Sequence, residues 1–572
     1  MITARERVRA AYARVAQVDR PEVWIDLRPQ AETEADAAAV DARVAQGEQL
    51  PLAGRVFAVK GNIDVAGLPT TAGCPSYAYE PEADAPAVAR LKAAGAVVLG
   101  TTNLDQFATG LVGTRSPYGA VRNAVDPEYV SGGSSAGSAV SVALGIADFA
   151  LGTDTAGSGR VPAAFNGIVG LKPTIGVVPT DGVVPACASL DCVTVFARTL
   201  PEAEQALSFM TTPPTRELPA LAQRRPGPWR IAVPDLDQLG ELDKGWAEAF
   251  ESATLRLAAA GAELVPIDLT PFTQAAAMLY EGAFVAERYA AVGAFIDGRA
   301  GAGSELGPGA GSGPRQGPGP TDLDPTVAGI ISRARDIPAH RLYADQEKLA
   351  SLRARALASL GDADALLLPT TPGHPTLAEV DADPIGANAR LGRFTNSTNL
   401  FDLAAVAVPA GEVNGLPFGV MLIGPAFTDE RLARIAALLT APPLRLAVVG
   451  AHLSGQPLNG QLLALGGRLV RTTTTAPTYR LYALNTAPPK PGLVRTGEGV
   501  SAIEAEVWQL PAEGLGAFLA ALPRPMALGN VELADGTHVT GFLCEPEALD
   551  GAREITSHGS WRAYLTTLTG DD

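Results

Sequence analysis

A chain of 572 residues exceeds what one hydrophobic core supports, so two or three domains are expected. Hydrophobic residues make up 47% and charged residues 18%, a globular balance that excludes a disordered chain. The net charge of −17 argues against nucleic acid or an anionic membrane surface as partner, so an anionic substrate must be met by a local cation.

The first segment, MITARERVRAAYARVAQ, is amphipathic and charged, with neither the apolar centre of a signal peptide nor a membrane span. Cys74, Cys187, Cys192 and Cys544 are too scattered for a disulfide framework or a zinc site, which points to the reduced cytoplasm. Thr3 caps a first helix, and Glu32–Gln46 carries helical spacing. The apolar run Val56–Val59, bounded by Gly54 and Gly61, reads as a strand covered on both faces, with Lys60 at its end. Burial there lowers the pKa of an ammonium, and a neutral lysine amine is a base near pH 7. From Ala85 to Gly113 a helix, a cap at Gly95, the strand AVVLG and a second helical segment follow, which implies α/β layers around a parallel or mixed sheet.

Ser131–Arg160, SGGSSAGSAVSVALGIADFALGTDTAGSGR, holds two Gly/Ser-rich turns around the small and apolar run Ala136–Leu151, which predicts a buried helix. Glycines flanking Ser134 and Ser158 let backbone N–H groups converge on one point, as an oxyanion hole requires. GGSSAGS at Gly132–Ser138, DTAGSGR at Asp154–Arg160 and AVKGNIDV at Ala58–Val65 together resemble the amidase signature family of serine hydrolases. The resemblance implies a large mixed β-sheet surrounded by helices, with Ser158 as nucleophile, Ser134 as a bridging serine with an unusual peptide bond, and Lys60 as base. It also implies that the backbone N–H groups of Thr155, Ala156, Gly157 and Ser158 form the oxyanion hole, without a metal or an organic cofactor. A competing reading takes Gly133–Gly137 as the G-x-S-x-G elbow of α/β-hydrolases, with an acid and one of five downstream histidines. That reading leaves Lys60 and the second serine motif without a role.

Residues 229–268 continue in βαβ rhythm. The segment Leu279–Val292 reads as one helix with Tyr280 and Arg288 eight residues apart and on roughly one face. It resembles allophanate hydrolases, which implies that Tyr280 and Arg288 hold the substrate; a guanidinium suits a carboxylate through two parallel hydrogen bonds. The bland alternative pairs Arg288 with Glu281 or Glu287 on a solvated helix face. The Gly/Pro-rich segment 300–322 reads as a flexible surface loop or insertion.

The strand and loop DALLLPTTPGHPT follow, then Phe394–Gly411 and Leu416–Phe427, which match how amidase signature enzymes finish their core. The linker Ala441–Pro443 divides the chain into domains 1–440 and 441–572. The second begins with the strand-to-loop stretch Leu446–Asn459 and continues with the strands TYRLYAL, IEAEVWQLP and TGFLCEP. It resembles the C-terminal domain of allophanate hydrolases, which implies a small α+β fold related to γ-glutamylcyclotransferases. His452, in GAHLSGQPLN, is its candidate proton donor or anion contact.

The combined resemblance implies hydrolysis of allophanate to ammonia and carbon dioxide by serine amidase chemistry. The second domain would assist decarboxylation of the carboxylated carbamate product. The partner implied is a small-molecule substrate, with no nucleic acid and no membrane, in a homodimer. The alternatives are an amidase of other small amides and an amidotransferase A-type subunit that depends on partner chains.

Overall fold

Val56–Lys60 is buried at every position, as a strand must be when both faces of its sheet are covered. In the computed structural model, which describes residues 2–213, 227–302, 322–440, 444–497, 501–510 and 512–569, that strand lies within a mixed sheet. The chain divides into two compact units, Met1–Thr440 and Ala441–Asp572.

In the first unit, eleven strands among the described residues form one sheet: β1 (Trp24–Leu27), β2 (Val56–Lys60), β3 (Val97–Thr102), β4 (Phe149–Asp154), β5 (Val169–Lys172), β6 (Cys192–Ala197), β7 (Arg230–Val233), β8 (Glu263–Pro266), β9 (Ala365–Pro369), β10 (Leu403–Val413) and β11 (Leu416–Pro425). Their order is β1-β3-β2-β4-β6-β5-β10-β11-β9-β7-β8. The β2 strand pairs in parallel with both β3 and β4, whereas β4, β6, β5, β10, β11 and β9 pair antiparallel in succession. This is the large mixed sheet expected, and helices surround it. The alternating strands and helices of residues 229–268 appear as β7, the helix Trp246–Ala259 and β8, with β7 and β8 parallel.

The run Ala136–Leu151 is not one helix. The helix ends at Ala143, Gly145 takes a positive φ of 72°, and the chain returns as β4. A glycine in that conformation stops a helix without steric cost, and the Phe-Ala-Leu that follows suits a buried strand. A single helix over the run would have held the two Gly/Ser turns roughly 24 Å apart at 1.5 Å per residue. The reversal brings them together instead: Ser135 Oγ donates to the Thr153 carbonyl at 3.1 Å and accepts the Thr153 N–H at 3.3 Å.

Most of the Gly/Pro-rich segment, residues 303–321, lies outside the described residues. No helix among the described residues is long and apolar enough to cross a membrane.

In the second unit, β12 (Leu444–Val448), β13 (Arg468–Thr474), β14 (Tyr479–Leu484), β15 (Lys490–Arg495), β16 (Glu504–Leu510), β17 (Met526–Glu532), β18 (His538–Cys544) and β19 (Arg553–Glu554) form two sheets, ordered β13-β16-β12-β18-β17 and β15-β14-β19. The helices Ala512–Ala520 and Trp561–Thr569 accompany them. The expected strands TYRLYAL, IEAEVWQLP and TGFLCEP correspond to β14, β16 and β18. The first strand stops at Val448, so GAHLSGQPLN is a loop that leads into the short helix Asn459–Ala464.

The core of the first unit runs under the proposed base. Phe57, on β2, is fully buried and stacks on Phe149 of β4 with ring centroids 5.1 Å apart. Phe57→Ala is therefore expected to cost about 3–5 kcal/mol by lost burial and an unfilled cavity, read as a lower midpoint for unfolding of the first unit in denaturant.

Candidate active site

Lys60 is fully buried, and its Nζ lies 2.8 Å from Ser134 Oγ and 2.7 Å from Thr153 Oγ1. Burial pushes its pKa from 10.5 down to about 7, against the opposing pull of Asp105, Asp191 and Asp154; the charge of Arg288 adds to the fall. The strand end thus delivers an amine that is partly neutral at neutral pH, in contact with the serine of the first Gly/Ser turn.

The Gly133–Ser134 peptide is cis, and the Ser134 carbonyl accepts the N–H of Asp105 at 3.1 Å. The Asp105 carboxylate in turn accepts the N–H groups of Gly113 and Arg115, each at 3.0 Å. A Cβ at Gly133 would come 2.1 Å from Asp105 Oδ2, so the carboxylate and the turn fit together only around glycine.

The second turn is built on a buried ion pair. Asp154, the last residue of β4, accepts the N–H of Gly157 at 2.9 Å and of Gly159 at 3.0 Å. Arg160 Nε and Nη2 both reach the same carboxylate at 2.9 Å, and neither side chain is exposed. Burial alone would raise the Asp154 pKa, but Arg160 and the turn amides hold it below the usual carboxylate range. Arg160 spends its remaining donors on the Thr395 carbonyl at 3.0 Å, Thr398 Oγ1 at 2.8 Å and Asn399 Oδ1 at 3.0 Å. Ser158, only 3% exposed, follows Gly157, whose φ of 132° belongs to the region that favours glycine. The Gly157 amide is thereby committed to Asp154, so one of the four amides expected in the oxyanion hole has another partner here.

Tyr280 and Arg288 do not share one helix. The helix Thr270–Glu281 ends at Gly282, which is extended, and a short 3₁₀ turn, Ala283–Val285, leads into the helix Ala286–Ala302. Asp345 Oδ2 accepts the freed N–H of Ala283 at 2.7 Å. The two side chains meet across this break: Arg288 Nη2 donates to Tyr280 Oη at 3.2 Å, and the guanidinium lies 5.3 Å from the Tyr280 ring centre. Arg288 is 2% exposed, and its Nη1 donates to Thr109 Oγ1 at 2.9 Å and to the Ala108 carbonyl at 3.3 Å. Glu287 instead accepts from Ser189 Oγ at 2.7 Å. A solvated helix charge paired with a neighbouring glutamate is not what this arginine is.

Residues 6–433 match the Amidase family, and residues 444–566 match the Allophanate hydrolase C-terminal domain. The chain belongs to the amidase family. It is similar to the urea amidolyase of Saccharomyces cerevisiae, 42% identical over 568 residues, which cover 91% of this chain and 30% of that relative. The chain therefore spans about 30% of the length of its urea amidolyase relatives. Among solved structures, the allophanate hydrolase of Kluyveromyces lactis superimposes with a TM-score of 0.68 at 38% identity, covering 99% of this chain and 97% of that one. The A-type subunit of the glutamyl-tRNA(Gln) amidotransferase of Halobacterium salinarum is 36% identical over 412 residues, 68% of this chain and 95% of that relative.

His374 is occupied elsewhere: its Nε2 bonds the Val130 carbonyl at 2.8 Å, its ring stacks on Phe165 at 3.8 Å, and burial pushes its pKa down to about 4. His374 is therefore not available as the base of an α/β-hydrolase elbow.

Thr153, Asp105, Asp191 and the Asp154–Arg160 pair were not singled out from the sequence. The pair left a readable signal, since its opposite charges bracket Ser158 in an otherwise small-residue stretch. Asp105 left none, because its partners lie in loops that only folding brings to it.

In the second unit, His452 lines a cavity of about 460 Å³ together with Gln461, Lys490, Phe518 and Phe542. Its ring stacks on Phe542 at 5.0 Å, and its Nε2 lies 3.0 Å from Gln461 Oε1. Burial lowers its pKa, the Gln461 hydrogen bond opposes this, and the charge of Lys490 adds to the fall.

Removing one partner of the buried pair tests how far the turn that carries Ser158 depends on it. Arg160→Met leaves the Asp154 carboxylate uncompensated and is expected to destabilise the first unit by about 3–5 kcal/mol, measured as a loss of unfolding free energy in urea.

Proposed function

We propose that this protein hydrolyses allophanate, urea-1-carboxylate, to ammonia and carbon dioxide. The observation that carries the proposal is a buried guanidinium, Arg288 held against Tyr280, in the same unit as a buried lysine bonded to a serine. Simple neutral amides offer such a desolvated cation no counter-charge; allophanate carries a carbamoyl group and a carboxylate on one nitrogen. The likeness to allophanate hydrolase over both units supports the same reading.

In the proposed mechanism, neutral Lys60 accepts the Ser134 proton while Thr153 holds the amine, and Ser134 accepts the proton of Ser158. Ser158 Oγ attacks the terminal carbamoyl carbon, and the N–H groups of Thr155, Ala156 and Ser158 receive the oxyanion. Gly157 joins them only if it releases Asp154. Collapse expels ammonia, protonated along the same relay. Water then releases a carbamate carboxylated on nitrogen, which takes up a proton there and loses carbon dioxide; the remaining carbamate breaks down to ammonia and carbon dioxide.

We assign the nitrogen protonation to the second unit, with His452 as donor. Burial and the charge of Lys490 lower the pKa of this imidazole, and a bound anion beside it would raise it. We further infer that the domains 1–440 and 441–572 act in sequence on one substrate in a cytoplasmic homodimer. The unpaired state of all four cysteines favours a reducing compartment, and light scattering reads the oligomeric state.

An amidotransferase A-type subunit is the second reading, and the Halobacterium relative gives it weight over 68% of the chain. It leaves the second unit without a task. Ammonia release from allophanate, compared with malonamide, biuret and aliphatic amides, separates the readings. Little or no release from allophanate by the protein alone sinks the proposal.

Ser158→Ala is expected to abolish ammonia release. Lys60→Ala and Ser134→Ala should each lose roughly 10²-fold or more, and the double variant should fall little further because the two act as one unit. Since Lys60 works as the neutral amine, kcat/KM should rise with pH through about 7 and fall below it in proportion to the neutral fraction. A flat profile from pH 6 to 8 contradicts the assignment. Arg288→Lys keeps the charge but loses the planar fork, and should cost allophanate about 1.5–3 kcal/mol of transition-state stabilisation while malonamide suffers less. A chain ending at Thr440 should still release the first ammonia. Rapid-quench detection of the carboxylated carbamate in the full chain, that shorter chain and His452→Ala tests the second unit, and equal lifetimes in all three remove His452 from the chemistry.

A further inference from the structure

Between the nucleophile turn and the helix that carries Arg288 lies a closed turn, Ala186–Asp191, to which the mechanism above gives no task. The N–H groups of Leu190 and Asp191 both donate to the Cys187 carbonyl, at 2.8 and 2.9 Å. The Asp191 carboxylate folds back to accept the N–H of Ala186 at 2.9 Å and of Cys187 at 3.2 Å. Asp191 is 4% exposed; its carboxyl takes these donors and one more, the hydroxyl of Thr155, while burial raises its pKa against their pull.

That last contact fixes the start of the oxyanion turn. Thr155 is β-branched, so holding its Oγ1 restricts χ1 and with it the orientation of the peptides on either side, which carry the Thr155 and Ala156 amides. Asn399 adds a second tie, donating from Nδ2 to the carbonyls of Asp154 at 2.8 Å and Leu190 at 2.9 Å. On the opposite side the turn meets the arginine helix: the Ser189 hydroxyl donates to Glu287 at 2.7 Å and its N–H does so at 3.4 Å. Glu287 immediately precedes Arg288. One turn therefore touches both the amides proposed to receive the oxyanion and the residue beside the cation proposed to hold the substrate's carboxylate.

We propose that Ala186–Asp191 is a positioning element: Asp191 aligns the oxyanion amides through Thr155, and the Ser189–Glu287 contact makes that alignment depend on an anion at Arg288. The identity of the anion rests on the allophanate reading; the alignment does not. Substrate binding energy at Arg288 is then realised in kcat, because the carboxylate organises donors that matter only in the transition state. A neutral amide reaches the same nucleophile with a less ordered oxyanion turn.

The test uses the full chain with Thr155→Val, Asp191→Asn, their double variant and Ser189→Ala. Thr155→Val keeps shape and backbone but loses the hydroxyl. Thr155→Val and Asp191→Asn are each expected to lower kcat about tenfold or more with KM for allophanate changed less than about threefold, and the double variant should be no worse than the worse single one. A merely structural role would not produce that split between kcat and KM in protein that is still folded. Ser189→Ala should lower kcat on allophanate and leave malonamide unchanged. Near-normal kcat in Thr155→Val, or additive losses in the double variant, overturns the alignment; equal declines on both substrates in Ser189→Ala overturn the dependence on the anion. If Asp191→Asn does not fold, Thr155→Val decides alone. Should the unaltered protein fail on allophanate, the functional proposal falls, and the alignment is read from Thr155→Val on whichever amide it does hydrolyse.

Discussion

The arrangement depends on one lysine kept out of water. Lys60 sits at the end of a strand whose five residues are all buried, and desolvation brings its pKa to about 7. The carboxylates Asp105, Asp191 and Asp154 oppose that fall without cancelling it. Each of the three has first obligations elsewhere: Asp105 to the amides of Gly113 and Arg115, Asp191 to Thr155 and its own turn, Asp154 to Arg160. None of these contacts is an ion pair with the lysine. The amine is left to the hydroxyls of Ser134 and Thr153. That division of labour lets a protein of net charge −17 keep a buried lysine partly neutral.

The same carboxylates shape the backbone around the site. Asp105 seats the cis Gly133–Ser134 peptide, and Asp154 ties the amides of Gly157 and Gly159. Arg160 then secures Asp154 to the segment Thr395–Asn399. Breaking such a pair costs more than the pair itself contributes, because the surviving charge stays buried. Elements far apart in sequence are thus joined at the turn that carries Ser158 by charged groups whose alternative is an unpaired charge in the core.

The second unit presents different physics. Its cavity is walled mainly by apolar and aromatic side chains, with His452, Gln461 and Lys490 as the groups able to meet a polar ligand. Aromatic stacking and the Gln461 bond orient the imidazole. Burial and the charge of Lys490 lower the pKa of that imidazole, against the pull of the Gln461 bond.

Family, mixed sheet and the three separated motifs were legible in the sequence, because glycines that must allow positive φ or close approach, and a lysine after an apolar run, are local requirements written in local residue types. The same holds for β14, β16 and β18, whose apolar alternation is a short-range pattern. What folding decided lies between segments. The run Ala136–Leu151 read as one helix because small apolar residues serve a buried helix and a buried strand equally; only pairing of Phe149–Asp154 with β2 and β6 selects the strand. Tyr280 and Arg288 read as neighbours on one helix, yet they meet across a break at Gly282 stabilised by Asp345, a distant residue no helical period reveals. Asp105 and Asp191 were silent in the sequence for the same reason: a carboxylate announces its role only through the donors around it, and those donors are brought to it by the tertiary fold.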